Sequence, residues 1–229
     1  MGEQPPDRSP ELGPSAIGYH RPDALAEPLK RAAAALRGAE VPFMLCGSMA
    51  CWVRGGPEPL TKDVDFCVKP EDADRALDAL AAMGMTTERP PEGWLYKAWD
   101  EDILIDLLFA PANIPVGEEV LRRSEELLVI SVPMQVAAVD DVLATKLLAL
   151  DANSIDLKQL LAIARALREQ IDWAALFSRT RESPYAAAFF TLVERLGIVS
   201  AEELERADEV PVEALPAPPP VAGDDTPTD

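Results

Sequence analysis

The sequence predicts an α/β unit followed by a helical C-terminal part, and three observations carry that prediction. Short apolar stretches with the character of strands recur between positions 41 and 136. Ala- and Leu-rich segments with helical spacing are interleaved among them, and from Val139 onward helical spacing is nearly uninterrupted. The ends are set apart by composition. Residues 1–20 hold four prolines and the last 19 residues hold six, so neither end buries enough apolar surface to offset chain entropy. The 229 residues divide, on this reading, into a flexible lead (1–20), an α/β domain (21–136), a helical domain (137–206) and a disordered acidic Pro-rich tail (207–229).

Each element has its own signal. Asp23 to Arg37 is an Ala/Leu-rich amphipathic helix, with Pro28 disturbing its first turns. Residues 41–47 (VPFMLCG) form a buried strand ending at glycine, and 48–56 (SMACWVRGG) a short helix stopped by two glycines. Residues 63–70 (DVDFCVKP) alternate as a strand does and close on proline. Glu71 to Met83 carries Ala73, Ala76, Leu77, Leu80 and Ala81 on one side of a helix. GWLYKAW and DILIDLLF read as two strands around an acidic turn at Asp100, Glu101 and Asp102, and ELLVISVPMQV as further strand. Helices follow at VDDVLATKLLAL, DLKQLLAIARAL, DWAALFSR and PYAAAFFTLVERL.

Charge and residue inventory exclude several chemistries. The chain carries 40 acidic against 21 basic residues, a net charge of -19, of which the residues between 21 and 200 keep -9. A generic duplex binder needs a broad cationic surface, so generic DNA binding is not expected. No apolar run reaches the roughly 18 residues of a membrane span, and MGEQPPDRSP lacks a signal peptide's apolar stretch, so a cytoplasmic protein without membrane contact is expected. The single histidine, His20, lies in the lead, which leaves the body without a Ser-His or Cys-His pair. Cys46, Cys51 and Cys67 lack CxxC spacing and read as buried thiols.

Carboxylates remain. Of the three Asp-x-Asp patterns, Asp72 and Asp74 fall in a helix and Asp100 and Asp102 at a turn. Only Asp63 and Asp65 sit in an apolar strand, where period two puts both on one face with Cys67. Adjacent half-buried carboxylates repel and lose hydration, and a hard divalent cation relieves both penalties. Asp106 is a third acid among apolar neighbours in a central strand. Gly47 and Ser48 connect a strand to a helix N-terminus, where free backbone N–H groups suit a phosphate, although Ser48 also reads as a plain N-cap. Arg54 and Lys62 lie near enough in sequence to serve a triphosphate. Trp52, Trp94 and Tyr96 are candidates for stacking on a base or for the core.

The order of these motifs resembles the nucleotidyltransferase fold shared with the DNA polymerase β superfamily. The matching residues are Leu45-Cys-Gly47-Ser48-Met-Ala50, then Thr61-Lys-Asp63-Val-Asp65-Phe66, then Ile105-Asp106-Leu107. The resemblance implies a mixed sheet flanked by helices, Mg²⁺ (or Mn²⁺) held by Asp63, Asp65 and Asp106, and an NTP held at Gly47 and Ser48. Further along, Val139 to Ala149 and Asp156 to Leu161 resemble the helical half of AbiEii and MenT-like toxin nucleotidyltransferases. That likeness implies a catalytic, triphosphate-contacting Lys146 and an Asp156 that positions the lysine or the acceptor. Ser48 stands where those toxins commonly have a second glycine, and Ile155 where they often have arginine.

The implied reaction moves a nucleoside monophosphate from an NTP to an acceptor hydroxyl. Two acceptors are open: a tRNA 3′ end, as for a toxin with a cognate antitoxin, or a small molecule such as a cationic aminoglycoside, which an acidic protein suits. A non-catalytic module that senses nucleotides or binds a partner is the alternative from another class.

Overall fold

A computed structural model describes residues 22–59 and 63–208, so the lead, most of the tail and the Lys62 expectation lie outside the described residues. The chain opens with helix α1 (Pro22–Gly38) and strand β1 (Phe43–Leu45), then α2 (Gly47–Val53), β2 (Asp63–Val68), α3 (Ala73–Ala82) and β3 (Thr86–Glu88). The hairpin β4 (Leu95–Asp100) and β5 (Ile103–Leu108) comes next, followed by the short α4 (Glu118–Arg122) and a second hairpin, β6 (Glu125–Val129) and β7 (Val132–Val136). Five helices end the described chain: α5 (Val139–Leu148), α6 (Leu157–Leu167), α7 (Trp173–Thr180), α8 (Pro184–Arg195) and α9 (Ala201–Asp208). None is long and apolar enough to cross a membrane.

The strands make one mixed seven-stranded sheet in the order β3-β4-β5-β2-β1-β7-β6. β2 and β5 run parallel at its centre, β1 runs antiparallel to β2, and β1 and β7 are parallel. The sheet has two chemically different faces. Val64, Phe66 and Val68 of β2 join Ile105 and Leu107 of β5 in a face fully removed from solvent, against which α1 and α3 pack. The other face carries Asp63, Asp65 and Cys67 beside Leu104, Asp106 and Leu108, as strand alternation requires. Buried residues run without a break from Leu25 to Val199, so the α/β part and the helical part share one core.

Several elements depart from the sequence expectation for local reasons. β1 spans three residues and not seven; Pro42 has no N–H to give a strand flanked on both sides. Pro28 lies inside α1, where the one hydrogen bond it removes is to the exposed Ala24 in the first turn. The stretch expected as further strand is a hairpin, turning at Ile130 and Ser131 with φ of 47° and 69°. β3 is a three-residue edge strand too short to leave a pattern. Asp100 ends β4 in a buried position and pairs with Arg31 of α1.

Candidate active site

The site forms where β1 ends beside the start of β2. The Cys46 amide donates to the Asp65 carbonyl at 2.9 Å, which ties the turn after β1 to the strand that carries two of the acids. Gly47 then takes φ of +63°, and a Cβ built on it would stand 1.8 Å from the Asp65 Oδ2. Glycine is therefore required twice here, for its left-handed backbone and for the space its missing side chain leaves to a carboxylate.

Strand register supplies the third acid. Asp65 and Asp106 are direct partners across parallel β2 and β5. One carboxylate oxygen from each of Asp63, Asp65 and Asp106 lies within 4.8 Å of the other two. Burial, and next the charges of Asp63 and Asp106, push the Asp65 carboxyl up to about 7, with Lys146 and Lys97 opposing the rise. Burial likewise raises Asp106, although the ammonium of Lys97, 3.1 Å away, opposes it. Oxygen donors this close together and partly withdrawn from water fit a hard divalent cation, which would offset both the lost hydration and the repulsion.

A cleft of about 650 Å³ opens over this face, lined by Gly47, Asp65, Asp106 and Lys146 together with Trp94 and Thr145. Lys146 projects from α5 and is close enough for its charge to bear on Asp65 and Cys46. At the far wall Arg123 holds Asp141 through two bonds of 2.7 and 3.0 Å, and Arg179 reaches Asp140 at 3.2 Å and Asp141 at 2.8 Å. Of the aromatic candidates, Trp94 lines the cleft, while Trp52 and Tyr96 pack against the core.

Two expected nucleotide-binding residues are placed elsewhere. Arg54 caps α2 and turns away from the cleft: its Nε donates to the Ala137 carbonyl at 2.7 Å, and its terminal nitrogens donate to Val136 and Glu125. With 7% of its side chain exposed, it fastens α2 to the end of β7. Asp156 caps α6 by accepting from the Lys158 amide at 3.0 Å, and its side chain does not line the cleft. Ser48, the second residue of α2, caps nothing; it follows Gly47 of the cleft lining without itself lining the cleft, and it accepts a hydrogen bond from Gln159. The sequence reading passed over Lys97, Arg123, Gln159 and Arg179. Only Lys97 left a usable signal, since a two-residue turn at Glu101 and Asp102 puts it opposite Asp106.

No protein-family model matches the sequence, and no curated protein matches it. Solved structures do. The antibiotic-resistance factor ANT(2'')-Ia superposes in its solution structure with a TM-score of 0.52 at 14% identity, covering 76% of this chain and 96% of that one. Its crystal structure in complex with adenylyl-2''-tobramycin gives 0.54 at 14% identity, over 73% of this chain and 98% of that one. The fold is that of a nucleotidyltransferase. Within the nucleotidyltransferase fold of this chain, the three acids and the Gly47 turn occupy one end of the central strands, with α5 closing the cleft from the helical side.

Proposed function

We propose that this protein is a divalent-metal-dependent nucleotidyltransferase that moves a nucleoside monophosphate from an NTP to a hydroxyl of a small cationic acceptor, releasing pyrophosphate. The observation that carries the reading is the convergence of Asp63, Asp65 and Asp106 within 4.8 Å, beside a glycine turn that leaves room for the Asp65 carboxylate. Asp63, Asp65 and Asp106 would hold Mg²⁺ or Mn²⁺, which supplies Lewis-acid neutralisation of the triphosphate charge. The Gly47 and Ser48 amides, at the start of α2, receive phosphate oxygens, and Lys146 adds positive charge from across the cleft. Asp106, held by Lys97, takes the proton of the attacking hydroxyl as the new O–P bond forms and the bond to pyrophosphate breaks. Positioning and charge account for the chemistry, which is why a body without histidine suffices.

The acceptor class rests on two supports. The net charge of -9 kept by residues 21–200 favours a cationic molecule over a polyanion. The superposition above one half in TM-score is with a protein captured with an adenylylated aminoglycoside. A tRNA 3′ end, with a cognate antitoxin as partner, is the second reading, favoured by the placement of Lys146 in the cleft as the toxin resemblance implies. Incubation with Mg²⁺ and each α-labelled NTP, offering an aminoglycoside panel in one tube and total tRNA in another, separates them. Label on an aminoglycoside supports the proposal, and label on tRNA alone replaces the acceptor. Label in neither tube, with NTP binding by thermal shift, turns the reading to a nucleotide sensor.

A further inference from the structure

Among the described residues, Gln159 of α6 joins Ser48 to Lys146. Its Nε2 donates to the Ser48 Oγ at 3.0 Å, and its Oε1 accepts from the Lys146 Nζ at 3.4 Å. The direction of this chain is forced by chemistry. An ammonium only donates, so the carboxamide oxygen must face Lys146. The amide nitrogen is then left facing Ser48, and since that nitrogen only donates, the serine oxygen must accept. A hydroxyl that accepts from one side keeps its own proton for another partner. The Ser48 O–H is thereby directed to donate, and the residue stands next to Gly47 at the turn beside the acids.

We propose that Gln159 is a positioning residue for nucleotide binding: it orders Ser48 as a hydrogen-bond donor to a phosphate oxygen and holds Lys146 over the same group. The inference rests on the nucleotidyltransferase reading and deepens it, since it says why the second position of the turn is serine and what the helical half contributes. A glycine at position 48 would offer an amide alone. Serine adds a second donor, and that donor is useful only while its proton is not spent on a neighbouring acceptor. Asp156, the N-cap three residues before Gln159, does not take part in this chain; it is occupied by the Lys158 amide.

Gln159→Glu is the decisive substitution. A carboxylate there still accepts from Lys146, but it also accepts from Ser48, so the serine proton is drawn away from the anion. The added negative charge repels a triphosphate as well, and that effect must be separated. A double-substitution cycle with Ser48→Ala does so, because charge repulsion persists without the hydroxyl whereas the donor-ordering effect cannot. The measurement is the Kd of a non-hydrolysable ATP or GTP analogue with Mg²⁺ by titration calorimetry, on full-length proteins whose melting temperatures are recorded alongside. Gln159→Glu should weaken binding about tenfold or more in the native background, the scale of a lost charge-assisted hydrogen bond, and about threefold or less in the Ser48→Ala background. Equal penalties in the two backgrounds overturn the proposal, since a structural or purely electrostatic role is additive. Binding by the native protein that Gln159→Glu leaves unmoved overturns it too. Absence of triphosphate binding by the native protein overturns the underlying reading of the site, and the relay with it.

Discussion

Asp65 and Asp106 are register partners on adjacent parallel strands, and the Asp106 charge adds to burial and to the Asp63 charge in raising the Asp65 carboxyl. The parallel register keeps the two residues side by side, so their charges stay close in the folded chain. The protein is therefore expected to be less stable without a cation than its fold would otherwise allow. Asp65→Asn should raise the melting temperature of the metal-free protein while abolishing transfer, and should remove most of the stabilisation that added Mg²⁺ gives the native protein. Melting curves with EDTA and with Mg²⁺, on both proteins, test this; an unchanged response to Mg²⁺ in the variant would exclude Asp65 as a ligand.

The same burial and repulsion set a pH dependence whose sign is opposite to that of most carboxylates. The Asp65 carboxyl holds its proton up to about 7 when folded, against 3.8 ordinarily, so between those values the folded chain binds a proton that the unfolded chain has released. Its contribution to stability is full below about 4 and is lost as pH rises through about 7. Asp106 and Asp140, both raised by burial, act in the same direction. In metal-free buffer the difference in unfolding free energy, native minus Asp65→Asn, should fall between pH 4 and 7 and be flat above about 8. A difference that rises over that window would mean that Asp65 is stabilised as the anion in the absence of metal.

Much of this site was legible in the sequence because it depends on short-range rules. Strand alternation alone put Asp63 and Asp65 on one face, opposite Val64, Phe66 and Val68, and singled out Asp106 as an acid between Leu104 and Leu108. The glycine at 47 was legible as a turn, but the 1.8 Å approach to Asp65 was not, since it depends on β1 and β2 lying antiparallel at one register. Arg54 was misplaced because closeness in sequence to Ser48 says nothing about direction: six residues on, at the end of α2, its side chain points to the carbonyls that close β7. Gln159 left no signal. It lies 111 residues from Ser48, and a glutamine at a helix position with mixed neighbours is indistinguishable from a surface residue until the helices are docked.

Gly47→Ala is expected to be costly even though alanine is the smallest change available. A left-handed φ costs a non-glycine residue on the order of 1 kcal/mol, and the new methyl group would have to displace the Asp65 carboxylate that lies 1.8 Å from its position. A total destabilisation of about 1–3 kcal/mol is expected by urea denaturation. Transfer activity should fall further than stability does, because the displaced carboxylate is the one that the site is built around. An alanine variant with native activity would mean that Asp65 can shift without consequence.

Arg54→Ala separates architecture from ligand binding. Three guanidinium nitrogens of Arg54 satisfy two backbone carbonyls and Glu125, and the side chain is almost wholly buried, so truncation leaves the Val136 and Ala137 carbonyls without those donors. A loss of about 2–4 kcal/mol in unfolding free energy is expected, the range for breaking a buried hydrogen-bond network. Arg54→Lys should recover little, because an ammonium cannot bridge three acceptors in one plane. At a temperature where the variant remains folded, the Kd for a triphosphate analogue with Mg²⁺ should stay within about twofold of native, since no charge in the cleft has been removed. The opposite pattern, a stable protein with tenfold weaker nucleotide binding, would return Arg54 to the triphosphate and require the end of α2 to open when the nucleotide enters.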